Sequence, residues 1–214
     1  DYGIRVNKNK VSHQGKTLMD LIHEMKHNDI DYLLIELHDD YPVINIPFDA
    51  LVCNHIGDGC QKYGFYKEII QQSKVLIING DNEQLLHVIH GLEDSYIITY
   101  GLKNKNTITA SSIMLQQDRT IFNYYIQRGF ISSNDKEIFV QEIPVEIQLL
   151  GYYHIYFALA GLSTGIFFDV EDIKIVLGLK KIVSIPNRLE MISLPEHRVF
   201  VDNVWRGDAL KAVF

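Results

Sequence analysis

Short apolar runs alternate with polar, glycine-containing turns in the first half of the chain. The runs at 31–37, 48–53 and 75–78 are nearly continuous, which is typical of parallel strands covered on both faces. Helical spacing of apolar residues over 66–73 and 82–92 places a helix after each of the last two runs. This order of elements predicts an α/β fold with a mostly parallel sheet.

The pattern changes after a further predicted strand at 95–101. Over 107–149 the residues are β-rich and alternate between apolar and polar, with polar breaks between segments. This pattern predicts an antiparallel set of strands. The predicted fold class is therefore α/β, with a mostly parallel central sheet and flanking helices plus a small antiparallel β subdomain.

Polar residues collect where the predicted parallel strands end. Asn54 and Asp58 follow the run at 48–53, and residues 79–81 follow the run at 75–78. In open α/β sheets, ligands bind outside the carboxyl ends of the strands. We therefore expect a ligand site at this edge.

Composition and charge restrict the function classes. A chain of 214 residues with 47% apolar content can fill a core, and its net charge of −7 argues against a nucleic-acid surface. No apolar run approaches the roughly 18 residues of a membrane span, and the start of the sequence lacks a signal-peptide core. We expect a cytoplasmic protein without a membrane partner. Cys53 and Cys60 fit neither a metal motif nor a disulfide framework, and we expect both to be reduced.

Two short motifs match enzyme signatures only in part. Residues 15–17, Gly-Lys-Thr, could end a phosphate-binding loop, but position 10 is lysine where that loop requires glycine. Residues 23–27 match HExxH, the zinc protease motif. On a helix predicted over 17–27, however, both histidines point away from the apolar face. We interpret them as a solvated surface and predict no zinc site.

Nine residues follow a known pattern in order: Phe48, Asp49, Asn54, Asp58, Gly64, Tyr66, Lys74, Asn79 and Asp81. The pattern is F-D-x-x-x-x-T-N-L-x-x-D-H-L-D-x-H-G, then Y-x-x-A-K and N-x-D-D. It resembles the central domain of the Mur ligases, the ATP-dependent amino-acid-adding enzymes of bacterial peptidoglycan synthesis. The histidine after the aspartate, a magnesium-side residue in that family, is Gly59 here.

The second half of the chain extends the resemblance. Residues 151–161 resemble the helix start G-x-x-N-x-x-N-x-x-A-A, with His154 and Phe157 in place of the two asparagines. Residues 185–190 resemble V-P-G-R-x-E, and 199–202 resemble the strand that opens the third domain of the family. The resemblance implies a central domain over 1–197 without its P-loop, and a truncated Rossmann-like C-terminal domain that begins at 198–214.

The resemblance also implies site residues. Glu36 matches a magnesium-binding glutamate, although it could equally end a strand in water. Lys74 matches a lysine that many family members carbamylate, and is implied to be catalytic and metal-binding; the alternative is a helix C-terminal charge. Asn54, Arg188 and Asp202 match nucleotide contacts, the guanidinium for phosphate and the carboxylate for ribose.

Two functions follow from the resemblance, with ATP and Mg²⁺ as implied cofactors. The first is a piece of a ligase that activates a carboxylate of a UDP-N-acetylmuramoyl-peptide as an acyl phosphate with ATP and transfers it to an amino acid, releasing ADP and phosphate. The second is a degenerate protein that binds a nucleotide-sugar or a protein partner without catalysis. A bare α/β binding module is the alternative to both. We expect this chain alone to be inactive, and we expect Glu36 and Lys74 to lie close together without ordered Mg²⁺.

Overall fold

The structure is a computed structural model, and contacts divide the chain into one unit over 1–41 and another over 42–214. It describes residues 4–6, 9–11, 20, 22–23, 32–37, 46–57, 62–92, 95–183, 185–194 and 197–202. In the first unit, strand β1 (Ile4–Val6) pairs antiparallel with strand β2 (Asn9–Val11).

The first unit departs from the sequence-based prediction at 32–37. These residues form no strand, and the Leu34 side chain is 91% exposed, so the predicted buried strand is wrong there. An apolar run becomes a strand only when a neighbouring backbone satisfies its N–H and C=O groups, and no such ladder forms along 32–37. Asp20, Ile22 and His23 are helical, and the rest of the predicted helix over 17–27 lies outside the described residues.

A six-stranded sheet forms the centre of the second unit. Its strands are β3 (Phe48–Cys53), β4 (Ser73–Asn79), β5 (Tyr96–Gly101), β6 (Ile108–Leu115), β7 (Thr120–Ile126) and β10 (Gln141–Ile147). The order is β10-β7-β6-β5-β4-β3. Neighbours from β3 to β6 are parallel, and β6, β7 and β10 pair antiparallel. The predicted α/β class is confirmed, and the antiparallel strands continue the parallel sheet itself. Between β7 and β10, a short antiparallel pair is formed by β8 (Phe130–Ile131) and β9 (Glu137–Ile138).

Helices cover both faces of this sheet. They are α1 (Tyr63–Gln71), α2 (Glu83–Ile89), α3 (Tyr152–Phe167) and α4 (Asp172–Lys180). Side chains alternate along a strand, so Leu76 and Ile78 pack on the side of α1 and α2, whereas Ile77 packs with α3 in the larger core. Strand β4 is therefore buried on both faces, as its apolar run predicts.

Strand β3 is less buried than predicted. Its residues are half-buried or exposed, and Val52 is 39% exposed. The reason is its place in the sheet: within the described part of the second unit, β3 has a strand neighbour on one side, where it meets β4. The apolar run by itself does not show whether a strand lies at the edge or in the centre of the sheet.

The last described elements form an antiparallel pair, β11 (Glu190–Ser193) with β12 (Arg198–Val201). The predicted domain boundary between 197 and 198 falls between these two strands and stays a prediction. None of the helices in the described residues has the length and apolar character needed to cross a bilayer.

Candidate functional site

The carboxyl ends of the parallel strands meet at one edge, as expected for parallel pairing. Asn54 follows β3 at this edge and is fixed by Tyr100 from β5, whose hydroxyl donates to Asn54 Oδ1 at 3.1 Å and lies 3.3 Å from the Cys53 carbonyl. Burial raises the pKa of Tyr100, so its hydroxyl remains a donor. The predicted residue Asn54 is thus held at the edge where a ligand was expected.

Asp81 organises the next part of the edge, because its carboxylate accepts four hydrogen bonds. Oδ2 accepts from the backbone N–H groups of Leu102 (2.6 Å) and Lys103 (3.2 Å) and from the Tyr156 hydroxyl (3.0 Å). Oδ1 accepts from Asn106 Nδ2 at 2.9 Å. The carboxylate therefore joins the end of β4 to the β5–β6 loop and to the first turns of α3.

Two glycines permit this close packing. A Cβ on Gly101 would lie 2.5 Å from Asn106 Nδ2 and 2.6 Å from Asp81 Oδ2, and a Cβ on Gly80 would collide with Asn106 Oδ1. A residue with a Cβ at either position would therefore push the Asp81 and Asn106 side chains away and displace the β5–β6 loop. Positions 80 and 101 therefore require glycine, because the backbone there lies directly against the Asp81 and Asn106 side chains.

Asn82 ties the β3 end to the start of α2. As N-cap of α2, its Oδ1 accepts from the Leu85 N–H at 2.9 Å and from the Ile56 N–H at 3.3 Å. Its Nδ2 donates to the Ile56 carbonyl at 3.2 Å and lies 3.0 Å from His55 Nδ1. A single side chain thus holds two loops of the edge together.

Helix α3 begins beside the same edge. Its N-cap is Gly151, at φ +84°, and no side chain caps its first N–H groups. His154 in the first turn is fully buried; Nδ1 lies 2.6 Å from the Leu150 carbonyl, and Nε2 has no partner among the described residues. Burial lowers the pKa of His154, so its ring stays neutral.

Two predicted nucleotide contacts meet at the start of α3. The charges of Arg188 and Asp202 both act on Tyr153 and His154. Burial is the main cause that raises the pKa of Tyr153; Arg188 opposes that rise, and Asp202 adds to it. The strand pairing places both residues at one end of the β11–β12 pair, because Glu190 is opposite Val201, and a Cβ on Gly151 at the start of α3 would lie 3.0 Å from Leu189.

Lys74 lies at the other end of the sheet. It is the second residue of β4 and pairs with Asp49 at 2.7 Å, with the two side chains 70% and 73% exposed. Asn54 is five positions after Asp49, and five steps of extended chain correspond to about 16 Å. The structure does not bring Lys74 to Asn54; Lys74 and Asp49 instead line a cavity of about 510 Å³ at the amino ends of the strands. Glu36 is exposed in the other unit, and its proximity to Lys74 stays a prediction.

A different lysine lies nearer the carboxyl edge. Lys67 is one turn into α1 from Tyr63, whose hydroxyl donates to Gln84 Oε1 at 2.5 Å, next to the start of α2. With His87, Val88 and His90, these two α1 residues line a groove of about 470 Å³. Tyr63 and Lys67 also have the spacing of Y-x-x-A-K, which Tyr66 and Lys74 do not. That spacing was the signal that could have identified Lys67.

The described residues at the edge do not present a ligand set for a metal ion. Asp81 is the carboxylate nearest the strand ends, and four donors already occupy its oxygens. Within the described residues there is no group of three or more His, Cys, Asp or Glu side chains that could hold a metal. Asp58 and Gly59 lie outside the described residues. Magnesium therefore does not fit the donors described here.

Strand order, crossover helices and a polar carboxyl edge define the class: an open α/β sheet with polar side chains at the ends of β3, β4 and β5. Comparisons specify this class further. No protein-family model matches the chain. A UDP-N-acetylmuramoyl-tripeptide–D-alanyl-D-alanine ligase of Buchnera aphidicola is 24% identical over 144 residues, 67% of this chain and 29% of that protein.

Solved structures show the same fold. MurF from Acinetobacter baumannii matches with a TM-score of 0.56 and 17% identity over 68% of this chain and 30% of its own. UDP-N-acetylmuramate-alanine ligase MurC from Thermotoga maritima matches with a TM-score of 0.57 and 16% identity over 77% and 36%. The chain is related to the Mur ligases over the part that is matched, which confirms the predicted resemblance. It spans between 29% and 36% of the length of these three relatives.

Proposed function

We propose that this chain is a Mur ligase-like central domain that binds a nucleotide at the carboxyl edge of its sheet. The domain would be part of a protein that adds an amino acid or short peptide to a UDP-N-acetylmuramoyl-peptide. ATP would be the activating nucleotide and ADP a product. The observation that carries the proposal is the position of Arg188 and Asp202 at one end of the β11–β12 pair, beside the start of α3, in a fold shared with Mur ligases.

The chemistry of these groups suits a nucleotide. A guanidinium forms paired hydrogen bonds with phosphate oxygens, and a carboxylate accepts from ribose hydroxyls. The first turn of the 16-residue helix α3 has no side-chain cap, and although the His154 N–H donates to the Gly151 carbonyl at 3.3 Å, an anion could bind the N–H groups that precede it. Arg188, Asp202 and this helix start would therefore bind and orient the nucleotide.

In the proposed reaction, a substrate carboxylate attacks the γ-phosphate of ATP to form an acyl phosphate with release of ADP, and an amino group then attacks the acyl carbon, forms the amide and releases inorganic phosphate and a proton. The described residues contribute binding and orientation: Asn54 and the α3 start lie at the edge where the nucleotide would lie.

We infer that Lys67, and not Lys74, occupies the position of the family lysine. Support comes from its spacing to Tyr63 and from its distance of about 6 Å along α1 from that residue, which lies near the carboxyl edge. Lys74 is paired with Asp49 at the far end of the strands. Lys67→Ala should therefore impair any nucleotide-dependent activity of the parent protein more than Lys74→Ala does.

Nucleotide binding tests the main proposal. Calorimetric titration with ATP should give saturable binding that Arg188→Ala weakens about tenfold or more, because a hydrogen bond to a charged group contributes roughly 1.5–3 kcal/mol. Arg119→Ala is the matched control, since Arg119 pairs with Asp118 and Glu146 on the antiparallel side of the sheet. An equal loss in both variants, or no binding at millimolar ATP, would contradict the proposal.

A second candidate function is a non-catalytic protein that binds a nucleotide-sugar. The observation in its favour is the replacement of two family asparagines by His154 and Phe157, which pack with Tyr153 in an aromatic cluster. Tighter binding of UDP-N-acetylglucosamine than of ATP, without amino-acid-dependent ADP release, would favour this candidate.

A further inference from the structure

Helix α3 has one side-chain link to the carboxyl edge among the hydrogen bonds of the described residues: Tyr156 to Asp81. The Tyr156 hydroxyl donates to Asp81 Oδ2 at 3.0 Å across 75 residues of sequence. Burial, followed by the charge of Asp81, raises the pKa of Tyr156, so the hydroxyl keeps its proton and the bond persists at neutral pH.

Asp81 provides a fixed anchor for this bond. Its carboxylate is held by two backbone N–H groups and by Asn106, which itself donates to the Lys103 carbonyl at 2.9 Å. The Asn79 side chain also accepts from the Asp81 N–H at 2.9 Å. Because the sheet and the β5–β6 loop hold Asp81 from several directions, the position of Asp81 constrains Tyr156.

Tyr156 in turn constrains the first turn of α3. Residues three apart on a helix are neighbours on one face, so Tyr153 lies on the same side of α3 as Tyr156. Tyr153 and His154 are the residues on which the charges of Arg188 and Asp202 act. The Tyr156–Asp81 bond therefore fixes the rotation of α3 about its axis, and with it the positions of Tyr153 and His154 relative to Arg188.

We propose that Tyr156 is a positioning residue for nucleotide binding, which acts by anchoring the start of α3 to Asp81. This inference rests on the proposed function and adds a residue that does not itself contact the nucleotide. Tyr156→Phe is the informative variant, because it leaves three donors on the Asp81 carboxylate. Asp81→Ala would instead leave four donors without their acceptor and disturb the fold.

The experiment is a double-mutant cycle of Tyr156→Phe with Arg188→Ala. ATP affinity is measured by calorimetry, and the unfolding temperature is measured on the same samples. We expect Tyr156→Phe to weaken ATP binding about tenfold, and the double variant to lose less than the product of the two single losses, since both act on one contact. Tyr96→Phe is the control: it removes a tyrosine hydroxyl that accepts from the Ile131 N–H at 2.6 Å, at the amino end of β5.

A nucleotide-free measurement separates the two proposals. Backbone amide shifts of residues 151–154 should change in Tyr156→Phe but not in Tyr96→Phe. Unchanged shifts, unchanged ATP affinity, or losses that multiply fully in the double variant would overturn the positioning role while wild-type binding stands. A wild-type chain that binds no ATP would overturn the proposed function, and this inference with it.

Discussion

Asn82→Ala should destabilise the second unit more than loss of an ordinary surface side chain. Asn82 Oδ1 caps α2 through the Leu85 N–H and also accepts from Ile56, while Nδ2 donates to the Ile56 carbonyl. Ile56 is 1% exposed, so water cannot easily replace these partners. The substitution therefore removes a helix cap and leaves buried backbone groups unpaired.

The magnitude follows from these two effects. Loss of an N-cap costs about 1 kcal/mol, and an unsatisfied buried backbone group costs about 1–3 kcal/mol. The expected loss is about 3 kcal/mol in the free energy of unfolding. For a unit of this size, that corresponds to a fall of roughly 6–12 °C in Tm. Urea unfolding followed by circular dichroism measures the first quantity, and a thermal scan measures the second.

Asn82→Asp separates the cap from the loop contact. The carboxylate keeps an acceptor for Leu85 and places a negative charge at the helix N-terminus, but it cannot donate to Ile56. We expect a loss of about 1 kcal/mol, well below that of alanine. Asn104→Ala is the control for an exposed loop asparagine and should change stability by less than about 0.5 kcal/mol. A loss in Asn82→Ala as small as in this control would refute the reasoning.

Three further outcomes are expected. Burial raises the pKa of Cys53 to about 11, so in a Cys60→Ser background its alkylation rate should still be rising with pH above pH 10; a plateau near pH 9 would contradict this. Gly80→Ala should destabilise by about 1–3 kcal/mol through its collision with Asn106, and combination with Asn106→Ala should cost less than the sum of the two single losses in urea unfolding. The HExxH stretch should bind no stoichiometric zinc by elemental analysis; zinc that His23→Ala abolishes would overturn that prediction.

The parallel part of the sheet could be predicted because its local signals agree. The apolar run at 75–78 predicts strand β4, which extends over 73–79 in the structure. Four consecutive apolar residues are typical of a strand that is buried on both faces of a sheet. The run predicted as a strand over 31–37 has a similar composition but forms no strand along 32–37 in the structure. Apolar runs identify segments that can be buried, whereas pairing depends on residues far away in sequence.

Small errors at element boundaries changed the interpretation of Lys74. The predicted helix ended at residue 73, which placed Lys74 at a helix terminus. In the structure, α1 ends at Gln71 and β4 begins at Ser73, so Lys74 projects from a strand and pairs with Asp49. Helix ends vary by one or two residues under weak local signals, and here that variation moved a candidate residue from one element to another.

The network at Asp81 could be predicted only in part. Its position after a buried strand indicated a ligand edge, and Asp81 does lie there. Its partners, however, are 21 to 75 residues away in sequence, and no spacing rule connects an aspartate with a tyrosine in a later helix. The glycines at 80 and 101 carried the local signal, because each is required by close approach to the Asp81–Asn106 pair.

The two α3 residues that differ from the family pattern, His154 and Phe157, both pack at the start of the helix. His154 is fully buried and neutral, and Phe157 packs edge-on against Tyr153 with ring centroids 4.6 Å apart. Side chains that offer amides in the family pattern are thus replaced by groups that stabilise the helix start through burial. Polar recognition at this edge then depends on charged groups outside the replaced positions, Arg188 and Asp202. A nucleotide bound here would be selected by its phosphates and ribose more than by amide contacts from α3, so ATP and ADP should compete with other nucleoside diphosphates and triphosphates within a narrow range of affinity.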